Sequence, residues 1–273
     1  MLTKMKRGMD VTEANVLKNG FSREVPSKQS ALDVFSGSWW TAMPADTGLV
    51  AGPNPGFEDP RVPWVNSLVP LAGARIVELG PFEAYNSWQL QQHAVSELVS
   101  VEANRFNFLK CLIVKEIFGL KARFVHGDVC EFLENIEEKY DFVWASGILY
   151  HQVDPLRLLE LASQRSDRIF IWTYYFDEQC MSSATQGYVF NKELDSNSEL
   201  NGEDFTYHFR SYGMKSFDSM PNHWSAGTEL YANWLTRDDL IKALNILGYK
   251  NIKLQVDGVR LDDLPVTSLL ASR

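Results

Sequence analysis

Arg75-Ile76-Val77-Glu78-Leu79-Gly80-Pro81 decides the fold of this chain, because an apolar run there ends in an acid and then in a tight turn. A second apolar run, 98–101, ends in another acid, Glu102, about 24 residues after Glu78. This spacing is typical of a β-α-β unit that binds a nucleoside, in which the first turn approaches the ligand and the second acid accepts hydrogen bonds from the ribose hydroxyls. A carboxylate in that place suits a ribose diol and repels a 2′-phosphate. The sequence therefore predicts a nucleoside cofactor.

Length and composition are those of an ordinary globular protein. The 273 residues can bury the core of one large α/β domain. The net charge is -9 and no basic run is longer than 4–7, so charge does not favour a nucleic-acid partner. Three scattered cysteines without a CxxC pair indicate thiols in a reducing compartment. A polar N-terminus and the lack of about 20 consecutive apolar residues favour a cytoplasmic protein with no membrane partner.

Strands and helices alternate regularly from Arg75 onward. The predicted strands are 75–79, 98–102, 122–125, 140–145 and 168–173, and the predicted helices between them are 87–94, 105–118, 130–138 and 154–164. A capped helix follows from Thr236 to Gly248, and two strands end the chain, 251–256 and 266–271. The turn between these two strands is too short for a parallel crossover, so they are antiparallel to each other. The fold class is α/β, with a Rossmann-like seven-stranded sheet of five parallel strands and an antiparallel C-terminal hairpin.

Two regions interrupt this rhythm. Residues 1–70 lack it and are interpreted as an N-terminal cap segment, with a short helix ending at Asn19-Gly20 and a Gly/Pro-rich loop at 48–60. The main domain, 71–273, contains an insertion at about 177–233 that is polar, rich in aromatic residues and without a regular pattern. Insertions of this length are more often lids or substrate walls than idle loops.

Four segments of the regular region resemble the successive motifs of the class I S-adenosylmethionine-dependent methyltransferases. They are 77–80, 101–104, 126–129 and 141–151, in order and with normal spacing, and the resemblance extends from Ile76 to the C-terminus. The run Gly147-Ile148-Leu149-Tyr150-His151 especially resembles a subgroup with bacterial tRNA wobble-uridine-modifying enzymes and many small-molecule methyltransferases. Five parallel strands followed by a hairpin are likewise typical of this superfamily rather than of dinucleotide dehydrogenases.

The turn after the first strand departs from the family pattern. Family members have further glycines two and four residues after the first one, whereas this chain has Phe82 and Ala84 after Gly80. The departure puts the geometry of the turn in question, and we expect the Phe82 side chain to point away from the cofactor.

The resemblance implies a set of cofactor-binding residues. Glu78 and Gly80 would line the methionine moiety, Glu102 would accept from the ribose hydroxyls, and Asp128 would accept from the adenine amino group. An alternative for Asp128 is the N-cap of a helix. The full set is Glu78, Gly80, Pro81, Phe82, Glu102, Ala103, Asn104, Asp128, Val129, Ser146, Gly147 and Ile148.

Methyl transfer from a sulfonium is an in-line displacement, in which the enzyme aligns the acceptor and, where needed, removes its proton. Tyr150 and His151 follow the fourth strand and are the catalytic candidates, with His151 as general base because an imidazole has a pKa near 6.5. His151 could instead pack against or cap the next helix. Aromatic residues from the end of the fifth strand, the cap segment and the insertion are interpreted as core or acceptor wall: Trp172, Tyr174, Tyr175, Trp39, Trp40, His223 and Trp224.

No metal site is predicted. The five histidines are scattered and form no HxxxH or HExxH pair. Asp177 and Glu178 offer two adjacent carboxylates for a cation, but a solvated loop is the simpler interpretation.

The leading hypothesis is a methyltransferase that uses S-adenosylmethionine, releases S-adenosylhomocysteine and acts on a hydroxyl or amine of a small-molecule methyl acceptor. A tRNA-modifying enzyme of the wobble-uridine type is the first alternative. Glu102 also permits an NAD-dependent oxidoreductase, but this chain lacks the Gly-x-Gly-x-x-Gly turn of such enzymes. A protein that binds the cofactor without catalysis is a further alternative.

Overall fold

The computed structural model describes residues 20–183, 189–216, 226–259 and 264–273. The strands, in chain order, are β1 (Arg75–Leu79), β2 (Glu97–Glu102), β3 (Arg123–His126), β4 (Phe142–Ser146), β5 (Arg168–Tyr174), β6 (Ser196–Leu200), β7 (Glu203–Ser211), β8 (Tyr231–Trp234), β9 (Asn251–Val259) and β10 (Pro265–Ser272). The helices are α1 (Lys28–Leu32), α2 (Arg61–Leu68), α3 (Tyr85–Gln92), α4 (Arg105–Phe118), α5 (Val129–Glu134), α6 (Pro155–Arg165), α7 (Glu178–Ser183) and α8 (Arg237–Ile246). No helix among these residues is long and apolar enough to cross a membrane.

The main sheet has seven strands in the order β3-β2-β1-β4-β5-β10-β9. The first five pair in parallel, and β10 is antiparallel to both β5 and β9. The predicted seven-stranded Rossmann-like sheet with an antiparallel C-terminal hairpin is therefore confirmed. Because all five parallel strands end at one edge, the side chains that follow them lie around one crevice.

Helix ends follow local signals that the sequence shows. The Asn104 side chain accepts hydrogen bonds from two backbone N–H groups at the start of α4, and Gly119, with a φ of 64°, ends that helix. Asp154 caps α6 ahead of Pro155 in its first turn, and Thr236 caps α8. The predicted helix at 130–138 is shorter than expected, because α5 ends at Glu134.

The insertion is more regular than its sequence indicates. It contains α7 and a three-stranded antiparallel sheet of β6, β7 and β8. The turn between β6 and β7 places Asn201 and Gly202 at positive φ, as tight hairpins require. Phe205 and Tyr207 of β7 are buried in the same core as helices α6 and α8. The insertion therefore packs into the hydrophobic core of the protein. The sequence did not predict its strands, because β6 is mostly polar and lacks an alternating apolar pattern.

A buried ion pair joins the cap segment to the main domain. The Lys110 ammonium on α4 donates to a Glu83 carboxylate oxygen 2.7 Å away and to the Ser38 carbonyl, and both charged side chains are fully buried. The same carboxylate accepts from the backbone N–H groups of Trp40 and Thr41, at 3.0 and 2.7 Å. These bonds fix residues 38–41 beside the turn after β1. The predicted helix that ends at Asn19, and His223 with Trp224, lie outside the described residues.

Candidate functional site

A large cavity lies at the carboxyl ends of the parallel strands, with a volume of about 1350 Å³. Pockets for one small ligand commonly measure about 300–1,000 Å³, so this cavity has room for a cofactor beside a second molecule. Its lining includes every residue that the motifs and the fourth-strand run single out: Glu78, Gly80, Pro81, Phe82, Glu102, Ala103, Asn104, Asp128, Val129, Ser146, Gly147, Ile148, Tyr150 and His151. The individual roles of these residues stay predictions.

The turn after β1 keeps a glycine-type backbone although two of its positions are not glycine. Gly80, Phe82 and Ala84 all have positive φ, at 70°, 56° and 63°. A Cβ added at Gly80 would meet Ile148 Cδ1 at 3.0 Å, so both conformation and space favour glycine there. Phe82 and Ala84 hold a left-handed conformation that costs about 1–3 kcal/mol for a residue with a Cβ. Two positions of this turn that carry side chains therefore adopt a backbone conformation that favours glycine.

Glu102 stands at the end of β2 with its carboxylate held by the backbone. One oxygen accepts from the Asn104 N–H at 2.8 Å and the other from the Phe82 N–H at 3.0 Å. Burial raises the pKa of Glu102 to about 7, and the backbone hydrogen bonds from Asn104 and Phe82 oppose that rise. The two backbone hydrogen bonds thus fix the orientation of the Glu102 carboxylate relative to the turn.

Glu78 lies beneath the cavity at the end of β1. Its Oε2 accepts from the hydroxyls of Ser87 on α3 and Ser100 on β2, the latter at 2.6 Å. Burial raises the pKa of Glu78 to about 7, against the effect of both hydroxyls. Two carboxyls that gain charge only near neutral pH therefore lie on this side of the cavity.

Asp128 caps a helix. Its Oδ1 accepts from the backbone N–H groups of Cys130 and Glu131, at 2.8 and 3.0 Å, at the start of α5. The N-cap interpretation is thus confirmed. Since Asp128 also lines the cavity, contact with an adenine stays a prediction for its other oxygen. We call Glu78, Gly80, Phe82, Glu102 and Asp128 the carboxylate side of the cavity.

Sequence reasoning missed Asp59 and Arg61, which line the cavity just before and at the start of α2. The Arg61 guanidinium forms an ion pair with Asp59 and donates from Nη1 to the Ser146 hydroxyl at 2.8 Å. Its Cζ lies 4.9 Å from the Trp172 ring. Both residues belong to the cap segment, which carries no motif. The signal that could have revealed them is an acid and an arginine two positions apart in the sequence at the start of a helix.

Aromatic rings form the other wall, which we call the aromatic side and define as Tyr150, His151, Trp172 and Tyr174. Tyr174 lies 4.9 Å from Tyr150 and 5.2 Å from Trp172 between ring centroids. Trp234 of β8 stacks on Tyr174 with planes 4° apart and donates from Nε1 to the Tyr150 carbonyl at 2.9 Å. The insertion therefore supports this wall from behind.

His151 lies beside Tyr150 and its Nδ1 is 2.7 Å from the Tyr212 hydroxyl on the segment after β7. Burial, with a smaller contribution from Arg210, lowers the pKa of His151 to about 3. The imidazole is therefore neutral at physiological pH.

Within the described ranges, no group of three or more metal-ligating side chains comes together. Asp177 caps α7 by accepting from the Cys180 N–H at 2.9 Å, and Glu178 forms an ion pair with Lys192. These two carboxylates are thus engaged locally.

Comparison with known proteins identifies the fold. No family model matches the chain. A tRNA U34 carboxymethyltransferase from Sulfurimonas denitrificans is 27% identical over 127 residues, which are 42% of this chain and only 40% of that relative. The N-terminal domain of EvdMO1, solved in the presence of S-adenosylhomocysteine and D-fucose, has a TM-score of 0.64 at 20% identity and covers 90% of this chain and 94% of that domain.

The chain matches 41% of full-length EvdMO1. Magnesium protoporphyrin IX methyltransferase from Synechocystis PCC 6803, solved with bound S-adenosylhomocysteine, has a TM-score of 0.50 at 15% identity, over 78% of this chain and 80% of that one. The chain therefore has the fold of the class I S-adenosylmethionine-dependent methyltransferases.

Proposed function

We propose that this protein is an S-adenosylmethionine-dependent methyltransferase that acts on a hydroxyl or amine of a small molecule. The observation that carries the proposal is the convergence of the four motif segments on one cavity, with Glu78, Glu102, Asp128 and Ser146 at the ends of adjacent parallel strands or directly after them. The fold supports it, since the crevice at these strand ends is where open parallel sheets bind ligands.

The carboxylate side fits the cofactor group by group. Glu102, pre-oriented by two backbone N–H groups, would accept from both ribose hydroxyls. Gly80, which lines the cavity, would contact the methionine moiety, and Asp128 would meet the adenine amino group. Bound there, S-adenosylmethionine supplies an activated methyl group. The protein's own contribution is to hold donor and acceptor in line, which saves much of the entropy cost of bringing two molecules together.

The aromatic side would receive the methyl acceptor. Tyr150 and His151 lie in the turn that follows β4 and line the cavity together with Ser146 and Ile148, where the sulfonium would lie. Trp172 and Tyr174 add apolar faces, and apolar walls with a few polar groups are typical of small-molecule sites. We therefore keep Tyr150 and His151 as the residues that contact the acceptor.

Isothermal titration with S-adenosylhomocysteine and, separately, with NAD tests the cofactor. We expect a dissociation constant on the order of micromolar for the first and no measurable heat for the second. Binding of NAD without binding of S-adenosylhomocysteine would overturn the proposal in favour of an oxidoreductase. A methyl-labelled cofactor and a metabolite panel then separate a catalyst from a protein that only binds the cofactor.

A tRNA-modifying enzyme is the second candidate, because the curated relative that matches the chain is a tRNA U34 carboxymethyltransferase. The net charge of -9 argues against it, since tRNA binding rests on contacts of Lys and Arg with phosphates. Filter binding of tRNA at two salt concentrations decides the matter. Tight binding that weakens steeply with salt would place this candidate first.

A further inference from the structure

The Tyr212 hydroxyl connects three groups at the edge of the aromatic side. It lies 2.7 Å from Nδ1 of His151. Its oxygen is also hydrogen-bonded by the backbone N–H of Gly227 and by the side chain of Arg210. Both of these groups can only donate, because an amide N–H and a guanidinium have no acceptor atom.

The position of the hydroxyl hydrogen follows from this arrangement. A phenol has one hydrogen to donate and two lone pairs to accept with. With Gly227 and Arg210 donating to this oxygen, the arrangement in which the hydroxyl also donates directs the hydrogen of Tyr212 to Nδ1 of His151. Nδ1 is then an acceptor, and a neutral imidazole with an acceptor at Nδ1 carries its hydrogen on Nε2.

The surroundings of His151 favour the neutral ring. Tyr150 packs against it with ring centroids 4.1 Å apart, and Tyr212 covers Nδ1. The charged side chain that acts on it is the cation Arg210, which opposes a second positive charge. Among the described residues no hydrogen bond to Nε2 is formed, and His151 is a partly exposed residue of the cavity lining.

We propose that His151 is locked by Tyr212 as the Nε2–H tautomer and serves as a hydrogen-bond donor toward a lone-pair atom of the methyl acceptor, in place of the general base that the sequence favours. This inference rests on the proposed function. It defines the acceptor as a molecule with a hydrogen-bond-accepting atom near its methylated group. The proton that a hydroxyl or amine releases when its bond to the methyl carbon forms and the sulfonium–carbon bond breaks then goes to bulk water, not to His151.

His208 provides an internal control with the opposite arrangement. Its Nδ1 lies 2.8 Å from Oδ2 of Asp195, and an ionised carboxylate can only accept. His208 must therefore carry a hydrogen on Nδ1. The same protein thus holds two partly buried histidines whose Nδ1 atoms have opposite roles, and one spectrum can report both.

Nitrogen-15 NMR of the full chain with labelled histidine measures the tautomers directly. Spectra are recorded between about pH 5 and 8, the range in which an unperturbed imidazole titrates, with and without S-adenosylhomocysteine. His151→Gln removes the signals of His151 and so assigns them, and Tyr212→Phe removes the hydroxyl. We expect a protonated Nε2 and an unprotonated Nδ1 at His151 throughout, a protonated Nδ1 at His208, and a tautomer mixture at His151 in Tyr212→Phe.

Three results would overturn the inference. These are a protonated Nδ1 at His151, titration of His151 near its ordinary pKa, and an unchanged His151 pattern in Tyr212→Phe. Failure of S-adenosylhomocysteine to bind removes the proposed function while the tautomer remains measurable in the free protein. Normal binding together with a protonated Nδ1 overturns the donor role alone.

Discussion

The two sides of the cavity are built in different ways. The carboxylate side takes its residues from one stretch, 78–128, in which each functional group lies at the end of a strand or in the turn after it. The aromatic side joins the end of β4 and the end of β5, and it is supported by Trp234 and Tyr212 from the insertion. The proposed cofactor site can thus be recognised from local motifs. The proposed acceptor site depends instead on contacts between residues about 80 positions apart, such as Tyr150 with Trp234.

The chemistry of the two sides also differs. The carboxylate side holds two buried acids, Glu78 with serine hydroxyls and Glu102 with backbone N–H groups. Because burial raises the pKa of both to about 7, the charge of this side depends on pH near neutrality. The aromatic side presents rings and a histidine that stays neutral. Substitutions on the carboxylate side should therefore change cofactor binding, and substitutions on the aromatic side should leave cofactor binding unchanged.

The largest expected effect concerns the ion pair behind the carboxylate side. Lys110→Met leaves the Glu83 carboxylate buried without its cation, and we expect a loss of about 3–5 kcal/mol in the free energy of unfolding. Chemical denaturation measures it. Lys121→Met, at an exposed position, is the matched control and should change stability by less than about 0.5 kcal/mol. Adding Glu83→Gln to Lys110→Met should recover part of the loss, and no recovery would show that the charge is not its cause.

Cofactor affinity is the next effect in size. Glu102→Gln keeps the shape but loses a charged acceptor and turns an amide toward a backbone N–H. Binding of S-adenosylhomocysteine should therefore weaken by about 1.5–3 kcal/mol, which raises the dissociation constant roughly 10- to 150-fold. Glu97→Gln, on the same strand but exposed, should have no effect. Tyr174→Phe on the aromatic side should also leave the affinity within about twofold. Equal losses in Glu102→Gln and Tyr174→Phe would show that the two sides do not act separately.

The carboxylate side was predictable because its signals are local. Because β1 and β2 are parallel neighbours, Glu78 near the end of β1 and Glu102 at the end of β2 lie at the same sheet edge. The backbone of the turn was not predictable, since Phe82 and Ala84 give no glycine signal and their positive φ is imposed by the packing around them.

The aromatic side and the insertion lay largely beyond the sequence. Trp172 and Tyr174 alternate with core residues on β5, and only the position of β8 decides that Tyr174 stacks on Trp234. Arg61 reaches Ser146 across 85 positions of the chain. Long-range contacts of this kind carry no periodic pattern, so local reasoning does not reveal them.

The pH dependence of binding gives the third effect. In the proposed cofactor site the ribose hydroxyls would donate to the ionised form of Glu102, whose pKa is about 7, so affinity for S-adenosylhomocysteine should rise about tenfold from pH 6 to pH 8. Glu102→Gln should flatten much of this rise, and a fully retained slope would assign the pH dependence to another group.

The free energy of unfolding should depend on pH in the opposite direction. Because folding raises the pKa of Glu78 and Glu102 from 4.5, their contribution to stability is complete below pH 4.5 and is lost as pH rises to about 7.

The smallest effect tests the turn at the base of the carboxylate side. Ala84 is buried at a φ of 63°, where glycine avoids the steric cost that a Cβ brings. Ala84→Gly gains about 1–2 kcal/mol from that relief and loses about 0.8 kcal/mol of methyl burial with some chain entropy. We therefore expect unfolding free energy to stay constant or rise by up to about 1 kcal/mol. Ala162→Gly, equally buried but inside α6, should lose about 1 kcal/mol or more, because glycine weakens a regular helix. An unchanged or more stable Ala84→Gly beside a destabilised Ala162→Gly would show backbone strain at Ala84, and equal losses would show that the turn stores none.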